Sequence, residues 1–196
     1  MQLVDPFTGK TIYRKQRHRF DEEQTPRSLN FTCFHNYQFL SKDRTRYWFL
    51  EALEEGRRKF PADLWAWVLM PEHVHLLVYP RERGKIVGPF QGFVKEKVAH
   101  KAIAWMAANA PGWIPKITVM EGDTERRRFW QAGGGYDRNI EELATSTATI
   151  EYIHMNPVRR GLVENVLDWE WSSARWYAGY SDVLIEMDRT MPVFLE

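Results

Sequence analysis

Apolar positions recur along the chain at two periods, and the switches between them lay out the elements. Leu29, Phe31 and Cys33 alternate with Asn30, Thr32 and Phe34, which predicts a half-buried strand over 29–34. Ser41 is placed to cap a helix running to about Lys59, in which Tyr47, Leu50, Leu53 and Glu54 keep helical spacing. Leu64 to Met70 and His73 to Tyr79 are short runs rich in strand-forming residues, and the Pro71-Glu72 turn between them predicts a hairpin. A second helix follows from about Val87 to Ala108, with an apolar stripe of Phe90, Phe93, Val94 and Val98 and a basic one of Lys95, Lys97 and Lys101. Two prolines and a glycine between Ala110 and Pro115 break it, and Lys116 to Met120 reads as a further short strand. The Gly133-Gly134-Gly135 triplet precedes a third helix, about Asn139 to Met155, which Pro157 is expected to end near Asn156. No repeat is detectable at periods of 20 to 50 residues.

Composition fits one packed domain: 196 residues, 44% apolar and 14% aromatic with nine Trp, supply enough large side chains for a single core and argue against low-complexity disorder. We divide the chain into a polar arm (1–27), a domain (28–180) and an acidic tail (181–196). The arm carries Arg14, Lys15, Arg17, His18 and Arg19 followed by Asp21, Glu22 and Glu23, the pattern of a solvated segment. Gly9-Lys10-Thr11 resembles the end of a phosphate-binding loop, but that loop needs glycine where Val4 stands. The single cysteine, Cys33, excludes an internal disulfide and any multi-cysteine zinc site, as in a reducing compartment. No run approaches the roughly eighteen apolar residues of a membrane span, and Asp5 and Pro6 interrupt any signal-like stretch, so a cytoplasmic protein is expected.

The formal net charge of +1 at first counts against a nucleic-acid role. It is an average: residues 1–120 hold nineteen basic and twelve acidic side chains, and residues 121–196 hold eight and fourteen. Any anionic partner is therefore expected on the first two thirds of the chain.

Two pairs of residues could carry chemistry. His73 and His75 sit two apart on a predicted strand, so both imidazoles face one side with Cα atoms roughly 6.5 to 7 Å apart, a workable grip on a divalent ion. Taken alone, a His-x-His pair is as readily structural. Tyr152 and Asn156 are four apart and share a helix face. A tyrosine there can attack a phosphodiester and an amide can complete a metal shell, yet a helical tyrosine more often packs in a core with its hydroxyl bonded.

The wording around both pairs adds weight. "WVLMPEHVHLLV" (67–78), "EYIHMNPVRRGLVE" (151–164) and "WSSAR" (171–175) resemble the three signature blocks of the REP-associated tyrosine transposases, of the insertion sequence 200 type within the HUH single-tyrosine superfamily. "FWQAGGGYDRNI" (129–140) and "GFVKEKVAHKAI" (92–103) extend the likeness weakly, so that it covers about residues 28 to 180. The resemblance implies an α+β fold, a ferredoxin-like α/β sandwich whose antiparallel sheet carries packed helices. It further implies His73 and His75 as paired ligands of Mg²⁺ or Mn²⁺, Asn156 as a third ligand, and Tyr152 as the nucleophile that leaves a 5′-phosphotyrosine. His154 falls on another helix face and is expected to be structural or to face substrate.

The implied partner is single-stranded or hairpin DNA, the implied location nucleoid-associated cytoplasm, and the implied assembly a monomer or a homodimer. Lys95, Lys97, Lys101, Arg126, Arg127, Arg128, Arg159 and Arg160 are the candidate phosphate contacts, expected on one positive surface with the metal face. Trp130 is read as core rather than a base-stacking platform, and Val158, Leu162, Val163, Trp169, Trp171 and Trp176 as core too. In one respect the chain departs from the family pattern: Glu72 stands where Asn is usual before the first histidine, in a turn expected to be solvated. Three functions remain open: a metal-dependent strand transferase, a sequence-specific DNA-binding protein that has lost cleavage, and a phosphodiesterase acting through water.

Overall fold

The computed structural model describes residues 24–191, together with the backbone of a two-residue ladder, β1 (Leu3–Val4) with β2 (Thr11–Ile12). The basic run of the arm and residues 192–196 lie outside the described residues. Four strands form the central sheet: β3 (Arg27–Thr32), β4 (Ala62–Leu69), β5 (His73–Pro80) and β8 (Tyr136–Asn139). They lie in the order β4-β5-β3-β8, all antiparallel. Helix α1 (Asp43–Lys59) connects β3 to β4, and α2 (Val87–Asn109) leads from β5 toward β8, with the short α3 (Ile114–Ile117) and the hairpin β6 (Thr118–Glu121) and β7 (Thr124–Arg127) inserted between. With the insertion set aside, the order βαββαβ and the placing of the first strand between the third and fourth are the ferredoxin-like arrangement. Helix α4 (Leu143–Arg159) and the short α5 (Ala174–Tyr177) follow.

Alternation along the strands divides the side chains between two cores. Leu29, Phe31, Leu64, Trp67, Leu76 and Val78 meet Phe49 and Leu53 of α1 and Phe90, Val94 and Val98 of α2 on one face. On the other, Val68, Met70 and Leu77 meet Ile150 and Ile153 of α4. A bulge between Leu64 and Ala66 lets Trp65 and Ala66 both join this second core. Strand β4 is buried along its whole length although it is the sheet's edge, because the chain returns to cover it. Leu69 N–H donates to the Trp171 carbonyl at 2.9 Å, Ser173 N–H to the Trp67 carbonyl at 3.0 Å, and Trp67 N–H to Ser173 Oγ at 3.0 Å. The WSSAR block is thus an edge cover, a structural role.

Several sequence expectations shift. Helix α1 starts after Lys42, with no side-chain cap from Ser41. Asn139, expected to open the third helix, instead ends β8, because pairing with β3 supplies ladder bonds that four polar residues do not advertise. Helix α4 therefore begins at Leu143, and it runs through Pro157 to Arg159. Proline leaves the Ile153 carbonyl without its i+4 donor. Asn156 Nδ2 lies 3.4 Å from that oxygen and donates to the Tyr152 carbonyl at 2.8 Å, which lets the helix continue. Leu162, expected in the core, is exposed, whereas Trp130 is buried as expected, with its indole N–H on the Lys95 carbonyl at 2.9 Å. Gly135 has φ +73°, and a Cβ there would stand 2.1 Å from the Asn30 carbonyl, so glycine is required where the loop crosses β3.

Candidate active site

His73 and His75 project from β5 to the α4 side of the sheet, where Leu77 and Tyr79 continue the same row. Their Nε2 atoms converge to 3.1 Å. Two nitrogens that share one ion lie about 3.0 to 3.4 Å apart, so the pair is close enough to hold a single divalent ion between them. Burial pushes His75 down to about 3, with the neighbouring His73 adding to the shift, and burial also lowers His73 against the opposing pull of Glu72. Both rings are neutral at neutral pH, the state in which imidazole binds a metal. Among the described residues no three His, Cys, Asp or Glu side chains gather as a metal site. An ion held by this pair would complete its shell from amide or water oxygens and from the substrate.

Helix α4 brings Tyr152 to the same place. The Tyr152 ring lies edge-on to His75, centroids 5.7 Å apart, and is 45% exposed. It is not a core tyrosine. Arg159, nearly two turns on, holds its guanidinium carbon 5.0 Å from the Tyr152 ring centroid. Asn156 is buried, and the two backbone carbonyls on its Nδ2 leave Oδ1 as its acceptor for another partner. His154 faces away as expected; its Nε2 meets Ser173 Oγ at 2.8 Å beneath the edge cover, and burial lowers it to about 4.

The expectation for Glu72 fails. The hairpin turn does not project into water, because residues 33–40 fold over it: Cys33 N–H donates to the Glu72 carbonyl at 2.7 Å and Leu40 N–H to the Pro71 carbonyl at 2.9 Å. Glu72 is only 7% exposed, and its Oε1 sits 3.1 Å from His73 Nδ1 and 2.9 Å from Arg160 Nη2.

A cleft of about 550 Å³ opens beside Tyr152 and His75. Ser28 and Asn30 of β3, Tyr136 and Arg138 of β8, Thr145, Ala148 and Thr149 of α4, and Ile140 line it. Among the described residues no carboxylate lines it and none of its residues comes from the 181–196 tail, although seven of the ten belong to the net-acidic stretch 121–196. Asn30 pairs with His75 in the ladder, and its Oδ1 is buried with no hydrogen-bond partner among the described residues. Arg138 and Tyr136 went unnoticed in the sequence because YDRN carries no apolar alternation. The available signal was the glycine triplet just before it, which forces the chain back along β3.

The expected basic surface is not assembled around this cleft. Lys97 pairs with Glu55 and Lys101 with Glu51, both on α1, across the face of the sheet opposite to His73. Lys95 donates to the Gly133 carbonyl at 2.8 Å. Arg126 and Arg128 pair with Glu121, and Arg127 with Glu125, on the small β6–β7 hairpin. Of the eight candidates, only Arg159 and Arg160 lie at the histidine–tyrosine site.

No family model matches the chain. A Haemophilus influenzae protein assigned as a REP-associated tyrosine transposase is 26% identical over 153 residues, spanning 70% of this chain and 77% of that protein. Among solved structures, a REP-associated tyrosine transposase bound to a REP hairpin superposes with a TM-score of 0.64 at 21% identity, covering 84% of this chain and 86% of the other. A crystal structure of a chain assigned as a transposase in Deinococcus radiodurans gives a TM-score of 0.41 at 17% identity, over 70% and 95%.

Proposed function

We infer that the chain belongs with the REP-associated tyrosine transposases, and from that premise we propose that it cleaves and rejoins single-stranded DNA at hairpin-forming repeats. The observation that carries this reading is the meeting of Tyr152 with the imidazole pair across one cleft of the same chain, ring centroids 5.7 Å apart. The relative in Haemophilus influenzae and the hairpin-bound structural neighbour support the class of substrate.

His73 and His75 would hold Mg²⁺ or Mn²⁺, with Asn156 Oδ1 as the third protein ligand. Once bound, the ion supplies Lewis-acid polarisation of the scissile phosphate and offsets its developing charge. Tyr152 Oη attacks phosphorus in line, and its phenolic proton passes to solvent. The new O–P bond forms as the bond from phosphorus to the 3′-oxygen breaks, and that oxygen takes up a proton to become a free 3′-hydroxyl. The 5′-phosphoryl group stays on Tyr152. Because one phosphoester replaces another, a 3′-hydroxyl of a second strand can reverse the step without ATP. Arg159 packs its guanidinium against the tyrosine ring, a cation–π contact that helps to hold the ring in place. The acid-free cleft, with exposed Tyr136 and Arg138, offers a path for unpaired nucleotides leading to Tyr152. Since tyrosine and histidines belong to one chain, a monomer acting in cis is the expected unit.

The test is a denaturing gel of hairpin-bearing single-stranded DNA incubated with Mn²⁺. A covalent protein–DNA adduct is expected, absent in Tyr152→Phe and after chelation. Binding without an adduct would make the chain a DNA-binding protein of the same fold. Cleavage that survives Tyr152→Phe would assign attack to water.

A further inference from the structure

Glu72 occupies a position that the proposed chemistry leaves without a role. We propose that it is a positioning residue: it sets the His73 imidazole for metal binding and, through Arg160, ties the tyrosine helix to the metal-binding strand. The inference rests on the metal reading above but deepens it to a residue outside the ligand set.

The geometry makes the case. An ionised carboxylate only accepts hydrogen bonds, so Glu72 Oε1, 3.1 Å from His73 Nδ1, requires that nitrogen to carry the proton. The His73 Nε2 lone pair is then directed at the point on which His75 Nε2 also converges, 3.1 Å away. A carboxylate behind a ligating histidine fixes its tautomer and ring orientation and raises its donor strength. Without it the ring is free to take the other tautomer, in which Nε2 bears a proton and cannot bind an ion.

The same Oε1 lies 2.9 Å from Arg160 Nη2. Arg160 is the residue that ends α4, eight positions beyond Tyr152. One buried oxygen therefore joins the β4–β5 hairpin to the helix that carries the nucleophile. Glu72 is itself held from behind, since its backbone carbonyl accepts from Cys33 N–H and Pro71 accepts from Leu40 N–H. Asparagine in this position would offer an acceptor to His73 but no charge to Arg160, so the glutamate makes a charge-assisted link that the amide does not.

Two measurements on the full chain test this without relying on cleavage. The first is the tautomer of His73 in ¹⁵N-histidine-labelled, metal-free protein. Nδ1–H is expected in the wild type and a shift toward Nε2–H in Glu72→Ala, with Glu72→Gln restoring Nδ1–H. The second is calorimetric titration with Mn²⁺ alone. Glu72→Ala is expected to weaken affinity about tenfold or more, Glu72→Gln to recover most of it, and Arg160→Met to leave it within about threefold while loosening α4 by hydrogen exchange. An unchanged tautomer and unchanged Mn²⁺ affinity in Glu72→Ala would overturn the proposal. Should Glu72→Ala fail to fold, Glu72→Gln still removes the charge that Arg160 meets and is expected to weaken that link, seen as faster exchange in the last turn of α4; unchanged exchange there overturns that half. A wild type that binds no Mn²⁺ removes the metal reading, whereas the tautomer result still decides whether Glu72 sets the ring.

Discussion

The buried pair of Arg27 and Asp137 offers the sharpest test of how the cleft is held. Arg27 on β3 and Asp137 on β8 meet in two parallel bonds, Nε to Oδ1 at 2.8 Å and Nη2 to Oδ2 at 2.6 Å, with side chains only 2% and 8% exposed. Strand β8 is four residues long and lies at the sheet's edge, so this bidentate pair is a large part of what keeps Tyr136 and Arg138 against the cleft. Asp137→Ala takes the carboxylate from a guanidinium that has almost no access to water. Breaking a buried pair from one side costs about 3 to 5 kcal/mol, and for a domain of this size each kcal/mol moves the melting midpoint by about 2 to 4 °C. A fall of roughly 6 to 20 °C follows from those two figures. Replacing both partners, Arg27→Met with Asp137→Leu, is expected to recover most of the loss, because no charge is then left buried. Urea unfolding and calorimetry on the two singles and the double close the cycle. A loss below about 1 kcal/mol in Asp137→Ala, or a double variant no better than the singles, would refute the account of β8.

Four further outcomes follow from other parts of the molecule. Arg138→Ala is expected to weaken single-strand binding and lower the salt slope by about one, while Lys101→Ala, whose cation is engaged by Glu51 on the opposite face, leaves both unchanged; titrations at several salt concentrations check this. Gly135→Ala should cost at least about 2 kcal/mol, since it combines a positive φ with a Cβ 2.1 Å from the Asn30 carbonyl, and chemical denaturation measures it. For His154, the unfolded ring protonates near pH 6.5 and the folded one only near 4. Its contribution to stability is therefore complete above pH 6.5 and falls as pH drops toward 4, by about 2 kcal/mol at pH 5. Denaturation of wild type and His154→Leu at pH 7.5 and pH 5 should show that difference in pH dependence. His75→Ala should abolish Mn²⁺ binding by calorimetry, as it removes one of the two convergent nitrogens.

Short-range rules made much of this chain readable. Alternation at Leu29, Phe31 and Cys33, the Pro71-Glu72 turn and the helical stripe of Phe90, Val94 and Val98 are local patterns, and the strands and helices they imply are present with shifted ends. The convergence of His73 with His75 was legible because the strand period places residues two apart on one side. The polar strand β8, the continuation of α4 through Pro157, and the burial of Glu72 were not legible. The strand and the glutamate depend on partners far along the chain, β3 and residues 33–40 folded over the turn, and the helix on one side-chain contact, Asn156 turned back on its own backbone, that hydrophobic periodicity does not register.

The sequence by itself determined which residue types were available for metal and phosphate chemistry, and it divided the charge between the two portions of the chain. Tertiary structure alone decided which charges meet. The sheet has two faces: α2 covers one and α4 the other, so Lys97 and Lys101 find the acids of α1 whereas Arg159 and Arg160 come to the histidines. Net charge sums over a chain, but a salt bridge or an acid-free cleft exists only at distances of a few ångströms. Those distances are set by the order in which strands pair, and the local pattern of residues does not carry that order.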